Sequence, residues 1–142
     1  MTDSLKKLYN QLILERQKDP TGYEKRDNAE VVIEAYNPVC GDKFNIYLDF
    51  EGDSIKNASY FGYGCALSKA STSLLISELT GKSFDDCLVT IGSYFSKLKA
   101  DSDPQDELIK ALALARNFPG REQCTVLSWE AMLKFLEQKL KE

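Results

Sequence analysis

The hydrophobic period of this chain changes once, at Gly64, and that change restricts the fold more than any other feature. Before it, Phe44, Ile46, Leu48 and Phe50 alternate with Lys43, Asn45 and Asp49, the period of a strand with one buried face. Glu30 to Tyr36 is rich in β-branched residues and reads as a strand before it, and Ser54 to Phe61 as one after it. Asn37-Pro38 and Gly52-Asp53 supply the turns. From Gly64 onward the spacing is helical. Leu67, Ala70, Leu74 and Leu75 give one face of a helix that ends at Gly81. A second helix begins at Ser83, with Asp86 as acidic cap partner, and buries Phe84, Cys87, Leu88, Ile91, Tyr94, Phe95 and Leu98. Asp103-Pro104 opens a third, faced by Leu108, Ala111, Leu112 and Ala115. Asn117-Phe118-Pro119-Gly120 breaks the chain before a last helix carrying Val126, Trp129, Leu133, Leu136 and Leu140. Upstream of the strands, Leu5, Leu8, Tyr9, Leu12 and Ile13 predict an amphipathic helix over 4–18, stopped by Asp19-Pro20 and followed by a polar connection, Thr21 to Ala29.

Strands first and helices after imply an α+β fold: a three-stranded antiparallel sheet with helices packed on one face. A chain of 142 residues can bury roughly two-thirds of its unfolded surface. With no repeat and no low-complexity tract, residues 1–142 are expected to form a single domain.

Composition removes several function classes. The chain has no histidine, so Ser-His-Asp and Cys-His catalysis and His-ligated zinc are excluded. Any metal must be held by Cys, Asp or Glu. The net charge is −4 and Lys and Arg are dispersed, which argues against nucleic acid as a partner. No apolar run is long enough to span a membrane. A charged, amphipathic N-terminus without a signal-peptide core leads to the expectation of a cytoplasmic location.

The four cysteines are then read as thiols or metal ligands, because disulfides are rare in the cytosol. Cys40 lies in Asn-Pro-Val-Cys-Gly-Asp, at a turn between strands. Cys65 lies in Gly-Tyr-Gly-Cys-Ala, where a strand hands over to a helix. Cys124 follows the Phe-Pro-Gly break at the start of the last helix. All three are at element ends, where side chains can face a shared cleft. Helix starts stabilise thiolates, which favours Cys65 and Cys124. Gly41 lets the backbone turn closely, so that Asp42 can reach a metal held by Cys40. A tetrahedral Cys₃Asp set would suit zinc. Spacing alone leaves open whether these residues meet at a metal or stand apart by chance, with Asp42 a turn residue. Cys87, on the apolar face of a helix, reads as a core thiol. Gly81-Lys82-Ser83 matches the end of a phosphate-binding loop, but the first glycine of that motif would fall at residue 76, which is Ile76.

The segments Asn37-Pro38-Val39-Cys40-Gly41-Asp42 and Phe61-Gly62-Tyr63-Gly64-Cys65-Ala66-Leu67-Ser68-Lys69-Ala70-Ser71, then Gly81-Lys82, then Cys124 near Trp129, resemble the IscU/SufU (NifU-like N-terminal) iron–sulfur cluster assembly family. The resemblance runs over nearly the whole chain and is closest to the SufU branch. IscU-like proteins carry a histidine just before the third cysteine and a Leu-Pro-Pro-Val-Lys segment read by a chaperone. Here Gln123 stands at the histidine position, and Asn117-Phe118-Pro119-Gly120-Arg121 keeps one proline and a basic residue, so recognition by that chaperone is not expected. The long stretch between Cys65 and Cys124 is also SufU-like.

The resemblance implies a SufE/NifU-like fold with a metal site at one end, built from Cys40, Asp42, Cys65 and Cys124 and holding Zn²⁺. It implies a zinc-dependent sulfurtransferase, in which Cys40 accepts persulfide sulfur from a pyridoxal-phosphate cysteine desulfurase and passes it towards downstream cluster scaffold proteins. Arg121 stands at a basic position beside the site, where it would support a ligand, touch a partner, or serve as plain surface charge. The family also suggests a monomer that docks on the desulfurase. The alternative is a scaffold holding a 2Fe–2S cluster on Cys40, Cys65 and Cys124. A third reading is a zinc-stapled interaction module without sulfur chemistry.

Overall fold

The computed structural model describes residues 3–19, 21–39, 41–99, 104–116 and 120–142, and leaves the side chains of 3–10 and of Ala115 outside that description. The element order is α1 (Asp3–Lys18), β1 (Val31–Asn37), β2 (Asp42–Glu51), β3 (Ser54–Tyr63), α2 (Ala66–Leu79), α3 (Phe84–Lys97), α4 (Glu107–Ala115) and α5 (Glu122–Leu140). The strands form one antiparallel sheet in the order β1-β2-β3. The architecture is the expected α+β one.

Alternation sets the inner face. Ile33, Ile46 and Tyr60 lie in register across the strands, as do Ala35, Phe44 and Gly62. Phe44, Ile46 and Leu48 are buried, each contributing about 1.5–3 kcal/mol by leaving water. The helices cover this face, with α5 against β1 and α2 against β3. A two-residue turn, Gly52-Asp53, joins Glu51 to its partner Ser54. The connection after α1 has more order than its polar composition suggests. Tyr23 makes a parallel bridge to Tyr60 along the outer edge of β3 and stacks on Phe61 with ring centroids 4.9 Å apart.

α2 is the centre of the helical layer. Besides the predicted Leu67, Ala70, Leu74 and Leu75, it buries Ile76, Leu79 and four hydroxyl side chains: Ser68, Ser71, Thr72 and Ser73. α1 is tied to it through Arg16, whose Nε donates to Ser73 Oγ at 3.0 Å and whose Nη2 donates to the Ser73 carbonyl at 3.1 Å. Ser83 caps α3 as read from the sequence, but its hydroxyl accepts from the backbone N–H of Asp86 at 3.1 Å. The start of α4 corrects the sequence reading. The helix opens at Glu107, not at Pro104, because the Asp106 carboxylate accepts the Ile109 N–H at 3.0 Å and so takes the capping position; Asp103 lies outside the described residues. In α5, Val126, Trp129 and Leu136 are buried as expected, Met132 joins them, and Leu140 is exposed. Among the described residues no helix is long and apolar enough to cross a membrane.

Candidate metal centre

Three chain segments meet at the end of the sheet where β1 turns into β2. Asn37 pairs with Asp42 across the last rung. The Asn37 side chain accepts the Val39 N–H at 3.1 Å and its carbonyl accepts the Gly41 N–H at 2.8 Å. This tight closure needs Gly41 at φ +76°, a conformation costly for other residues. Asp42 is thereby placed at the head of β2 and is 3% exposed.

On the other side, β3 ends at Tyr63 and α2 begins at Ala66, with Cys65 as its N-cap. The Cys65 sulfur accepts the Ser68 N–H at 3.4 Å and lies 3.5 Å from the Ser68 hydroxyl. Gly64 permits this approach. A Cβ there would fall 2.6 Å from Ser68 Oγ, 2.8 Å from Phe44 Cζ and 2.9 Å from Asp42 Oδ1. The third segment is the first turn of α5, where Cys124, 1% exposed, points back at Asp42.

The two oxygens of Asp42 divide their work. Oδ1 accepts the Cys65 backbone N–H at 3.2 Å. Oδ2 lies 3.6 Å from Cys124 Sγ, within hydrogen-bond reach of its thiol. The ligand atoms of Asp42, Cys65 and Cys124 all lie within 4.8 Å of one another, so the three can hold a metal ion. Hydrogen bonding from Cys124, helped by the Ser68 hydroxyl and N–H, pulls the Cys65 thiol down to about 5, against burial and the Asp42 charge. A thiol so lowered is thiolate at neutral pH, the form that binds metals.

Of the residues singled out in the sequence, the structure brings together Asp42, Cys65 and Cys124; Cys40 lies outside the described residues. Arg121 is exposed and stands just before α5, its carbonyl accepting the Cys124 N–H at 3.1 Å. Cys87 is fully buried, and burial pushes its thiol up to about 11, as befits a core residue. Ser68 and Gly64 were missed as site residues. The Cys-x-x-Ser spacing at a helix start is the signal that could have found Ser68.

Residues 8–134 match the NifU-like N terminal domain. The chain belongs to that family. Among NifU-like relatives, it is 31% identical to the zinc-dependent sulfurtransferase SufU of Bacillus subtilis, covering 92% of this chain and 90% of that protein. It is 30% identical to the iron–sulfur cluster assembly scaffold protein IscU of Streptococcus pyogenes, over 94% of this chain and 86% of that one. Its fold superposes on a crystal structure from Fervidobacterium islandicum, described as a putative SUF-system scaffold protein, with a TM-score of 0.77 at 29% identity, covering 89% of this chain and 94% of that one.

Proposed function

We propose that this NifU-like chain works in iron–sulfur cluster assembly as a zinc-dependent sulfurtransferase, with Cys40, Asp42, Cys65 and Cys124 as the metal ligands and Cys40 as the sulfur acceptor. The observation that carries the reading is the convergence of one carboxylate oxygen and two sulfurs within 4.8 Å. Tetrahedral zinc, with bonds of about 2.3 Å to sulfur and about 2.1 Å to oxygen, sets a sulfur–oxygen edge of about 3.6 Å. The separation of Cys124 Sγ and Asp42 Oδ2, 3.6 Å, fits that edge. Two soft thiols and a carboxylate, with Cys40 two residues from Asp42 in the chain, complete a donor set suited to zinc without histidine.

Bound zinc would hold its cysteine ligands as thiolates at neutral pH. The chain's own residues do the rest. Asp42 Oδ1 is held by the Cys65 N–H, which leaves Oδ2 for the metal. The Cys40 thiolate attacks the outer sulfur of a persulfide on the partner's cysteine. The new S–S bond forms on Cys40 as the partner's S–S bond breaks, and the partner's cysteine leaves as thiolate. The partner is a pyridoxal-phosphate cysteine desulfurase. An apolar rim supports docking of a protein here: Val39 is 91% exposed, Tyr63 63% and Tyr36 51%, around the end of the sheet that carries the site.

The test is persulfide labelling. The reduced, zinc-loaded protein is incubated with a cysteine desulfurase and cysteine, and persulfide is mapped by mass spectrometry. Label on Cys40, lost in Cys40→Ser while the variant keeps its fold, is expected. Normal labelling of Cys40→Ser would overturn the assignment. The similarity to an IscU scaffold keeps a second reading in play, in which Cys40, Cys65 and Cys124 hold a 2Fe–2S cluster for transfer.

A further inference from the structure

The buried hydroxyls of α2 are an anomaly for a central helix. Removing a hydroxyl from water is unfavourable unless it is hydrogen-bonded, and an apolar side chain would pack as well. Here the hydroxyls are bonded; Ser73 faces Arg16 of α1, while Ser71 and Thr72 reach partners that lie together on α5. Ser71 Oγ donates to the Thr125 carbonyl at 2.7 Å, and Tyr94 Oη donates to the same carbonyl at 2.6 Å. Trp129 Nε1 donates to the Ser71 carbonyl at 3.0 Å. Thr72 Oγ1 donates to the Ser68 carbonyl at 2.8 Å and shares a hydrogen bond of 2.7 Å with Ser128 Oγ. The Tyr94 ring is stacked on Trp129, centroids 3.7 Å apart and 8° from parallel, which fixes the direction of its hydroxyl.

This seam joins α2 and α5 close to their metal-binding ends. Thr125 follows Cys124 in the chain. Ser68, whose carbonyl is in the seam, is also the residue whose N–H and hydroxyl face the Cys65 sulfur. Among the described residues, the cap position of α5, Arg121, supplies no side-chain cap to the first turn. Apolar contacts between helices tolerate small slides, whereas hydrogen bonds are directional and short-range. We propose that Ser71 and Tyr94, acting through the Thr125 carbonyl, are positioning residues that fix Cys124 against Asp42 and Cys65. Tyr94 belongs to α3, so α3 serves the site without touching it. The inference rests on the proposed metal role of Cys124, but its test separates the two.

The test compares wild type, the double variant Ser71→Ala/Tyr94→Phe, and Leu136→Ala, a core truncation in a later turn of α5. Zinc affinity of the reduced, folded protein is measured by competition with a chromogenic chelator. Iodoacetamide modification of Cys124 in the metal-free protein is measured by peptide mapping, and Tm is followed in parallel. The double variant is expected to bind zinc at least about ten-fold more weakly, as loss of residues that orient a ligand usually does. Its Cys124 should be alkylated about ten-fold faster, while Cys87 stays protected. Leu136→Ala should lower Tm comparably yet bind zinc within about two-fold of wild type. A double variant that loses Tm but keeps both wild-type zinc affinity and wild-type protection of Cys124 overturns the proposal. If wild type itself binds no zinc, the metal reading fails, and the alkylation ratio alone decides the positioning role: equal protection in wild type and double variant refutes it.

Discussion

Gly64→Ala is the substitution that most directly tests how the site is packed. Gly64 does not have a positive φ, so backbone strain plays no part. Glycine to alanine at an ordinary backbone angle usually stabilises by about 0.4–1 kcal/mol, through the unfolded chain. Here the sign should reverse. The new methyl would sit 2.6 Å from Ser68 Oγ, 2.8 Å from Phe44 Cζ and 2.9 Å from Asp42 Oδ1. Phe44 is fully buried and has no free space to enter, so Asp42 and Ser68 must move. Overpacking costs about 1–3 kcal/mol. Losing the hydrogen bond from the Cys65 N–H to a charged carboxylate costs about 1.5–3 kcal/mol more. The net is a destabilisation of about 3 kcal/mol, or about 10 °C in Tm for a chain of this size. Calorimetry of the metal-free protein reads the stability, and zinc per chain reads the displacement of Asp42. A variant that melts within about 1 °C of wild type and binds zinc normally would refute the packing argument.

Four further outcomes follow from the thiols and the carboxylate. In metal-free protein, Cys65 should be alkylated by iodoacetamide with a midpoint near pH 5, where an ordinary thiol, near 9.0, is still protonated; a midpoint above pH 8 would contradict this. Because its folded value lies below the ordinary one, the stability contributed by the Cys65 thiolate is complete above pH 9 and is lost as pH falls through about 5. The Tm advantage of wild type over Cys65→Ala, both metal-free, should shrink over that window. Asp42→Ala should weaken zinc binding and shift the Cys65 midpoint lower still, since the Asp42 charge raises it; an upward shift would show that lost positioning outweighs lost charge. Cys87→Ala should cost about 1–2 kcal/mol as a small core cavity and leave zinc content and sulfur transfer unchanged, as measured by calorimetry and persulfide labelling.

What the sequence made legible was local. The alternation Phe44, Ile46, Leu48 placed β2 and its buried face, and Gly-Cys at the strand-to-helix passage placed Cys65 at a helix start. The start of α4 misled because two acidic residues, Asp103 and Asp106, precede it in the sequence, and Pro104 made the earlier one attractive. Ser71, Thr72 and Ser128 could not be read as buried, since a hydroxyl on a helix ordinarily indicates solvent. Only the packing of α2 between α1 and α5 reverses that expectation. Likewise, nothing local to Cys124 shows that it faces Asp42, which is 82 residues away. That contact depends on how α5 crosses the end of the sheet, a tertiary property. Tyr23 was hidden in a polar segment because its bridge to Tyr60 is made by backbone, which leaves no side-chain pattern.

We propose that Asp42, Cys65 and Cys124, together with Cys40, hold zinc for sulfur transfer. The most direct test is to purify the protein anaerobically without chelator and measure zinc, iron and acid-labile sulfide in one sample. About one zinc per chain with little iron or sulfide is expected, as is loss of that zinc in Cys65→Ala and Cys124→Ala. Iron and sulfide in equal amounts with zinc absent would contradict it and make the same cysteines cluster ligands.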